Sequence, residues 1–429
     1  MHVIFVVQAA PNSIGHGSNH RTYQIAYDLR QIVGAEQITV FDYGAEAQAL
    51  TASRPVQRYA RQKAAQLPVV WQTCLRELRR RQHHLWLTGR GRVQEWRRLL
   101  YLLAGGPSKN RPPGANRTLE RYNDPRVLAR YFELVRALPR PLVCVVKHSN
   151  FARLAWANRR LGIATVACPD NLEAFDVGVT GLNRHPRELY LTALNFGDEL
   201  RALAACEALL FISRVETGLV NGLGLPSHYY PYRPVGAIRQ NMLEIRGLRA
   251  DVAPQSGLFI MMGSADHPTT AESFRWFLRE AKQWGLPDGL RVIVCGRKAN
   301  ELLASDEIIR GIELRGWVDQ AELTRLLAQA QGVLLPQRVG FGGLTRLAEL
   351  SCAHVPGIVS AHATHAVSPL PPGFVAVEDT WAAWQEAIRR MMAPHAIDHQ
   401  PEDSYESWEA GQEQVLPQVL AELMRKPMN

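Results

Sequence analysis

The sequence predicts an α/β fold made of two doubly wound, Rossmann-like domains with parallel sheets facing across a cleft. Three observations predict it. Short apolar runs at 2–7, 141–146 and 257–262 are continuous rather than alternating, as strands buried on both faces read. Helical patterns separate them, which gives the strand–helix–strand order of a parallel sheet. The 429 residues, at roughly 150 per domain, leave room for two or three domains.

The first unit begins with the strand His2-Val3-Ile4-Phe5-Val6-Val7. A loop rich in Pro, Asn, Ser and Gly follows to Gly17, and Ser18 or Asn19 is placed to cap a helix through Arg30, with apolar spacing at Tyr23, Ile25, Ala26 and Leu29. A second strand is expected over 37–43. After a basic segment and a Pro- and Gly-rich loop at 105–114, the alternation resumes: helix 126–138, strand 141–146, helix 151–161, strand 163–168, a helix through 197–205 and strand 208–212. Tyr229-Tyr230-Pro231-Tyr232-Arg233-Pro234-Val235-Gly236 marks a break between domains. The second unit then offers strand 257–262 and a helix to Trp284 capped by Thr269 with Glu272. Strands follow at 290–295, 313–315, 332–335, 358–360 and 374–377, with helices at 320–330, 345–353 and 381–392. The domains are therefore 1–235, 236–395 and a tail 396–429 ending in a helix that crosses back to the first domain.

An apolar fraction of 46% and a charged fraction of 21% exclude general disorder. Six scattered Cys without a C-x-x-C pair argue against a disulfide framework or zinc site and favour a reducing compartment. No apolar run approaches the ~20 residues of a spanning helix, and a strand starting at His2 leaves no room for a signal peptide. The expected location is cytoplasmic, with peripheral attachment at the inner face of a membrane. Net charge is +9, yet residues 54–126 hold 17 Lys and Arg against 4 Asp and Glu, so the remainder is mildly acidic. Without zinc-finger spacing or an RNA-binding aromatic motif, nucleic acid is not the expected partner. A solvated helical face is the plain reading. An anionic membrane surface is the other, because Trp71, Leu75, Leu78, Trp86 and Leu87 interleave with Arg76, Arg79, Arg80 and Arg81.

The stretch richest in chemical meaning is Gly340-Phe341-Gly342-Gly343-Leu344-Thr345-Arg346-Leu347-Ala348-Glu349. A strand ends before it, and a helix begins near Thr345. Glycines let a backbone approach a ligand, and a helix N-terminus offers free N–H groups and about half a positive charge to a phosphate. Arg346 and Arg338 could add charge. One turn onward, Glu349 is placed to accept hydrogen bonds from a diol. An ordinary strand–helix loop with a solvated Glu is the plain alternative.

This arrangement resembles the donor-binding segment of GT-B glycosyltransferases, specifically the retaining family 4-like group. Residues 316–330 are similar to that family's loop beside the nucleotide base and its following helix. Residues 263–278, 15–30, 171–174 and 212–216 have counterparts in the same order. The resemblance spans nearly the whole chain outside the basic insertion. It implies a two-domain fold and a nucleotide-sugar donor held by the second domain. Glu349 would hold ribose, the 340–343 turn with Thr345 and Arg346 the diphosphate, and Trp317 and Val318 would lie near the base. Gly15, His16 and Gly17 would form the phosphate or acceptor loop. His148 and Asp170 would line the acceptor side as candidate catalytic groups; position near the carboxyl ends of strands, apart from the resemblance, adds Lys147 and Asp176 as further candidates. The acceptor would be a glycan, a lipid-linked or a small molecule. Retention and independence from metal are also implied, with no cofactor beyond the donor.

Two departures stand out. Relatives carry an Arg and a Lys after the first strand of the second domain, where this chain offers only His267; Arg297, Lys298, Arg338 or Arg346 are the substitutes in view. The Glu-x7-Glu pair is also incomplete, since position 341 is Phe. Gly15-x-Gly17 does not make a dinucleotide fingerprint, because His20 stands where the third Gly belongs. No D-x-D, P-loop or G-x-S-x-G motif occurs. A non-catalytic nucleotide- or glycan-binding scaffold and a nucleotide-sugar epimerase remain the alternatives.

Overall fold

A computed structural model describes residues 1–14, 17–52, 124–175, 186–304, 307–393, 404–412 and 415–425. Gly15, His16, Asp176 and nearly all of the basic insertion lie outside the described residues.

The first lobe contains β1 (His2–Val7), α1 (Gly17–Val33), β2 (Ile38–Asp42), α2 (Tyr43–Ala52), α3 (Pro125–Ala137), β3 (Leu142–Val146), α4 (Leu154–Arg160), β4 (Ala164–Ala167), α5 (Pro186–Leu203), β5 (Ala208–Phe211), α6 (Arg214–Gly222) and β6 (His228–Tyr229). Its six strands are ordered β2-β1-β3-β4-β5-β6, and every pairing is parallel. The second lobe contains α7 (Gly236–Asp251), β7 (Gln255–Met262), α8 (Pro268–Trp284), β8 (Arg291–Cys295), β9 (Ile312–Gly316), α9 (Gln320–Gln329), β10 (Ala330–Leu335), α10 (Thr345–Cys352), β11 (Gly357–Ser360), α11 (Ala361–Thr364), β12 (Phe374–Val377) and α12 (Trp381–Met392). Its sheet runs β12-β11-β10-β7-β8-β9, again wholly parallel.

Each sheet is covered on both faces, which is why its strands could afford continuous apolar runs. Around the first, Ile4, Val6, Cys144 and Val146 face one core while Val3, Phe5, Val143 and Val145 face the other. Around the second, Leu258, Ile260 and Val333 oppose Phe259, Met261 and Leu334 in the same alternating way. Each fully buried Val, Leu, Ile or Phe stabilises by about 1.5–3 kcal/mol, so the strands are fixed by position in the sheet rather than by propensity alone.

The chain then ties the lobes together. Tyr405 and Trp408 of α13 (Tyr405–Ala410) enter a core of the second lobe. Val415, Leu416, Val419, Leu420 and Leu423 of α14 (Val415–Arg425) pack into a core of the first lobe. Arg239 of α7 grips Glu409 at 2.9 and 2.7 Å. The predicted break at 229–236 divides into β6, which still belongs to the first sheet, and a connector entering α7 at Gly236. Helix α7 itself was not expected, although Ile238, Met242 and Ile245 carry its buried stripe at helical spacing.

Two caps are corrected. Ser18 lies inside α1, and its hydroxyl donates to Asp170 Oδ2 at 2.5 Å instead of capping. Thr269 lies inside α8, which starts at Pro268 after His267. Proline's fixed φ suits the first helical position, so it sets the boundary one residue ahead of the expected cap.

The candidate active site at the seam between the lobes

In doubly wound sheets ligands collect outside the carboxyl ends of the strands, where the strand order reverses. The first sheet reverses between β1 and β3, below Gln8 and Lys147. The second reverses between β7 and β10, below Gly263 and Pro336. These two switch points meet at the seam.

The 340–344 turn is pressed against the first lobe. A Cβ on Gly342 would stand 3.2 Å from the Asp170 carbonyl oxygen, and one on Gly343 would stand 3.0 Å from that of Ile212. A Cβ on Gly17 would stand 2.5 Å from Thr345 Oγ1, so α1 and α10 start side by side. Gly340 differs: its φ of 95° is the left-handed region that glycine tolerates. The glycines at 17, 342 and 343 therefore serve close approach of lobe to lobe, a use the sequence did not announce.

Glu349 sits one turn into α10 and is buried. Its Oε1 is bonded to His20 Nδ1 at 2.7 Å, reaching across from α1. The same oxygen accepts from the hydroxyl of Tyr232, in the connector, at 2.8 Å. Burial pushes this carboxyl up, but His20, Tyr232 and Arg346 outweigh burial and leave it below the usual carboxylate range. Burial opposes the charge on His20, and the charge and hydrogen bond of Glu349 reverse that, so its pKa is raised. Sequence reasoning saw His20 only as a misplaced glycine and missed Tyr232. The spacing Gly17 to His20, one turn along a helix, was the available signal for the first; the second had none.

Asp170 lies at the carboxyl end of the first sheet and pairs with Lys147, whose side chain is fully buried. Desolvation pulls Lys147 down, while for Asp170 the cation and the Ser18 hydroxyl outweigh burial and lower its pKa. Both oxygens of Asp170 are thus engaged, which suits a strut between β3 and α1. His148, the next residue after Lys147, lies 3.7 Å from Glu173 Oε1 through Nδ1. The Asp170–Glu173 turn is itself held from below: buried Glu199 accepts from the amides of Glu173 and Ala174, and Glu216 from that of Leu172.

The remaining candidates are dispersed. Arg346 donates to the Met262 carbonyl at the end of β7, where a Cβ on Gly263 would stand 2.6 Å from its guanidinium. Arg297 and Lys298 are exposed and both pair with Asp266 at 3.3 Å. Arg338 lies over the Trp276 ring at 4.5 Å. Trp317 is exposed, while Val318 is built into a core of the second lobe. Phe341 packs against Phe175 of the first lobe, with centroids 5.4 Å apart, and against His362 at 5.8 Å. Among the described residues no group of three or more His, Cys, Asp or Glu could hold a metal, and no helix is long and apolar enough to cross a membrane.

No family model and no curated protein matches the chain. Solved structures do. The Anabaena protein HepE, solved with UDP and glucose, aligns over 100% of both chains at 10% identity and a TM-score of 0.54. Sucrose-phosphate synthase from Thermosynechococcus elongatus aligns over 70% of this chain and 77% of its own at 13% identity and a TM-score of 0.50. The fold is GT-B. Two Rossmann-like lobes with parallel sheets, expected from the apolar runs and the resemblance, are what this GT-B chain adopts.

Proposed function

We propose that this chain is a retaining, metal-independent glycosyltransferase of the family 4-like group, moving a sugar from a nucleotide-sugar to a hydroxyl of a glycan, lipid-linked or small-molecule acceptor. The observation that carries the reading is Glu349. It is an ionised carboxylate one turn behind a glycine turn, at the switch point of the second sheet, with Oε1 anchored and Oε2 taking no hydrogen bond from a described residue. Such an oxygen suits a ribose diol. A charge-assisted hydrogen bond of that kind contributes about 1.5–3 kcal/mol.

In this reading the N-terminus of α10 and the 340–343 turn face the diphosphate, and Trp317 lies on the side of the base. Stabilising the departing diphosphate is the main electrostatic task, since negative charge grows there. Arg346 is committed to a carbonyl, and Arg297 and Lys298 share Asp266. The helix dipole therefore carries a larger part of that task than in relatives with an Arg–Lys pair. Asp170, engaged through both oxygens, is a poor nucleophile. Retention then fits attack from the face that the diphosphate leaves, with a leaving phosphate oxygen taking the acceptor proton. His148 lines the acceptor side.

A thermal-shift screen with UDP, GDP and their sugars, followed by a transfer assay, tests the reading. HepE was solved with UDP and glucose, which puts UDP-sugars first. Activity that survives EDTA is expected; strict dependence on Mn²⁺ or Mg²⁺ counts against the mechanism. A binding scaffold is the second reading, favoured by the tight seam at Gly342 and Gly343 and by Phe341 in place of an acid. Nucleotide binding without turnover would select it. The basic stretch 54–126 is read as a contact to anionic membrane, and vesicle co-sedimentation with no preference for anionic lipid removes that part.

A further inference from the structure

The Glu349 carboxylate is completed by the opposite lobe. On its own helix the nearest cation, Arg346, is spent on the Met262 carbonyl. What anchors Oε1 comes from elsewhere: His20 from α1 at 2.7 Å and Tyr232 from the connector at 2.8 Å. His20 can reach it only because α1 and α10 begin in contact at Gly17 and Thr345. Among the described residues, the other charged or titratable groups near the pair are Arg21 and Tyr405, which act on Tyr232, and Cys295, beside Arg346.

We infer that His20 is a positioning residue which, from across the seam, holds the Glu349 carboxylate in its ligand-ready orientation, so that the nucleotide grip is complete only when the lobes are closed. This rests on the nucleotide-sugar reading above. Two donors on one oxygen fix the carboxyl plane and leave the second oxygen to accept. If the lobes part, His20 withdraws with α1, and the carboxylate loses the strongest of the groups that favour its charge. Nucleotide affinity and lobe closure are thus linked through one imidazole, and by linkage a bound nucleotide would favour closure.

The test is calorimetric binding of UDP and GDP to the full chain, wild type, His20→Ala, His20→Gln and Glu349→Gln, from pH 5.5 to 8.5. The Glu349→Gln series subtracts the titration of the nucleotide's own phosphate. Wild-type affinity, so corrected, is expected to fall severalfold as His20 loses its proton. His20→Ala should bind about tenfold more weakly at pH 6, a loss of roughly 1.4 kcal/mol, with the dependence gone. His20→Gln, which can still donate one neutral hydrogen bond, should recover part of the affinity but none of the pH dependence. It also serves if the alanine variant misfolds. Wild-type binding matched by both His20 variants, with the same pH profile, overturns the positioning role while leaving the donor reading intact. No binding of either nucleotide to wild type overturns both.

Discussion

Asp170 and Glu349 are both acids at the carboxyl ends of parallel sheets, one in each lobe, and they face the same seam. Their surroundings assign them opposite work. Asp170 meets a fully buried lysine on one oxygen and a serine hydroxyl on the other. Neither oxygen is left without a partner. Glu349 is held by two donors on a single oxygen and keeps the second. Residue type and position in the fold do not separate a strut from a receptor; where the two partners fall does, one on each oxygen in Asp170 and both on a single oxygen in Glu349.

The largest effect should come from the strut. Lys147→Ala leaves the partly buried Asp170 carboxylate without its cation, held only by the Ser18 hydroxyl, and is expected to cost up to about 3–5 kcal/mol of stability by urea denaturation. Lys147→Met with Asp170→Asn should recover much of that loss. If the single variant is as stable as wild type, the pair is not the strut described. Glu349→Ala should act mainly on function: it loses the bonds to His20 and Tyr232, with a smaller cost in unfolding than the strut, and about 2–4 kcal/mol in transition-state binding, read as kcat/KM. Full turnover in a folded variant would falsify the assigned role.

Smaller effects sharpen the contrast. Tyr232→Phe removes one hydrogen bond to a charged acceptor and is expected to cost about 1.5–3 kcal/mol, seen mainly in the KM for donor. A rise in stability instead would mean the hydroxyl is not needed by Glu349. The weakest signal is a pH dependence. His20 is raised above its ordinary 6.5 and Glu349 is held below its ordinary 4.5. Their attraction is therefore present between those values, is lost as pH rises through the raised value of His20, and is lost again as pH falls through the lowered value of Glu349. The gap in melting temperature between wild type and His20→Gln should shrink from pH 6 to pH 8.5. A constant gap would show that the two side chains do not share a proton-linked interaction.

Much of this was legible along the chain. Strand β12 and helix α12 begin and end where the sequence placed them, at Phe374–Val377 and Trp381–Met392. Strand β1 matches its apolar run. Caps were less legible. A Ser or Thr near a helix start reads as a cap whichever way it points, and Ser18 points at Asp170. Helix α7 escaped because it follows a Pro- and Tyr-rich connector that reads as loop.

By itself the sequence determined the alternation of strand and helix, the glycine turn and the acid one turn behind it, because each rests on neighbours a few residues apart. Only the tertiary structure decided which oxygen of Glu349 is anchored and why Gly17, Gly342 and Gly343 have no side chain. It also decided that Lys147 is enclosed beside Asp170. His20 and Glu349 are 329 positions apart, and Tyr232 and Glu349 are 117 apart. Contacts across such distances leave no periodicity to read; they exist only once two separately packed cores have brought their switch points face to face.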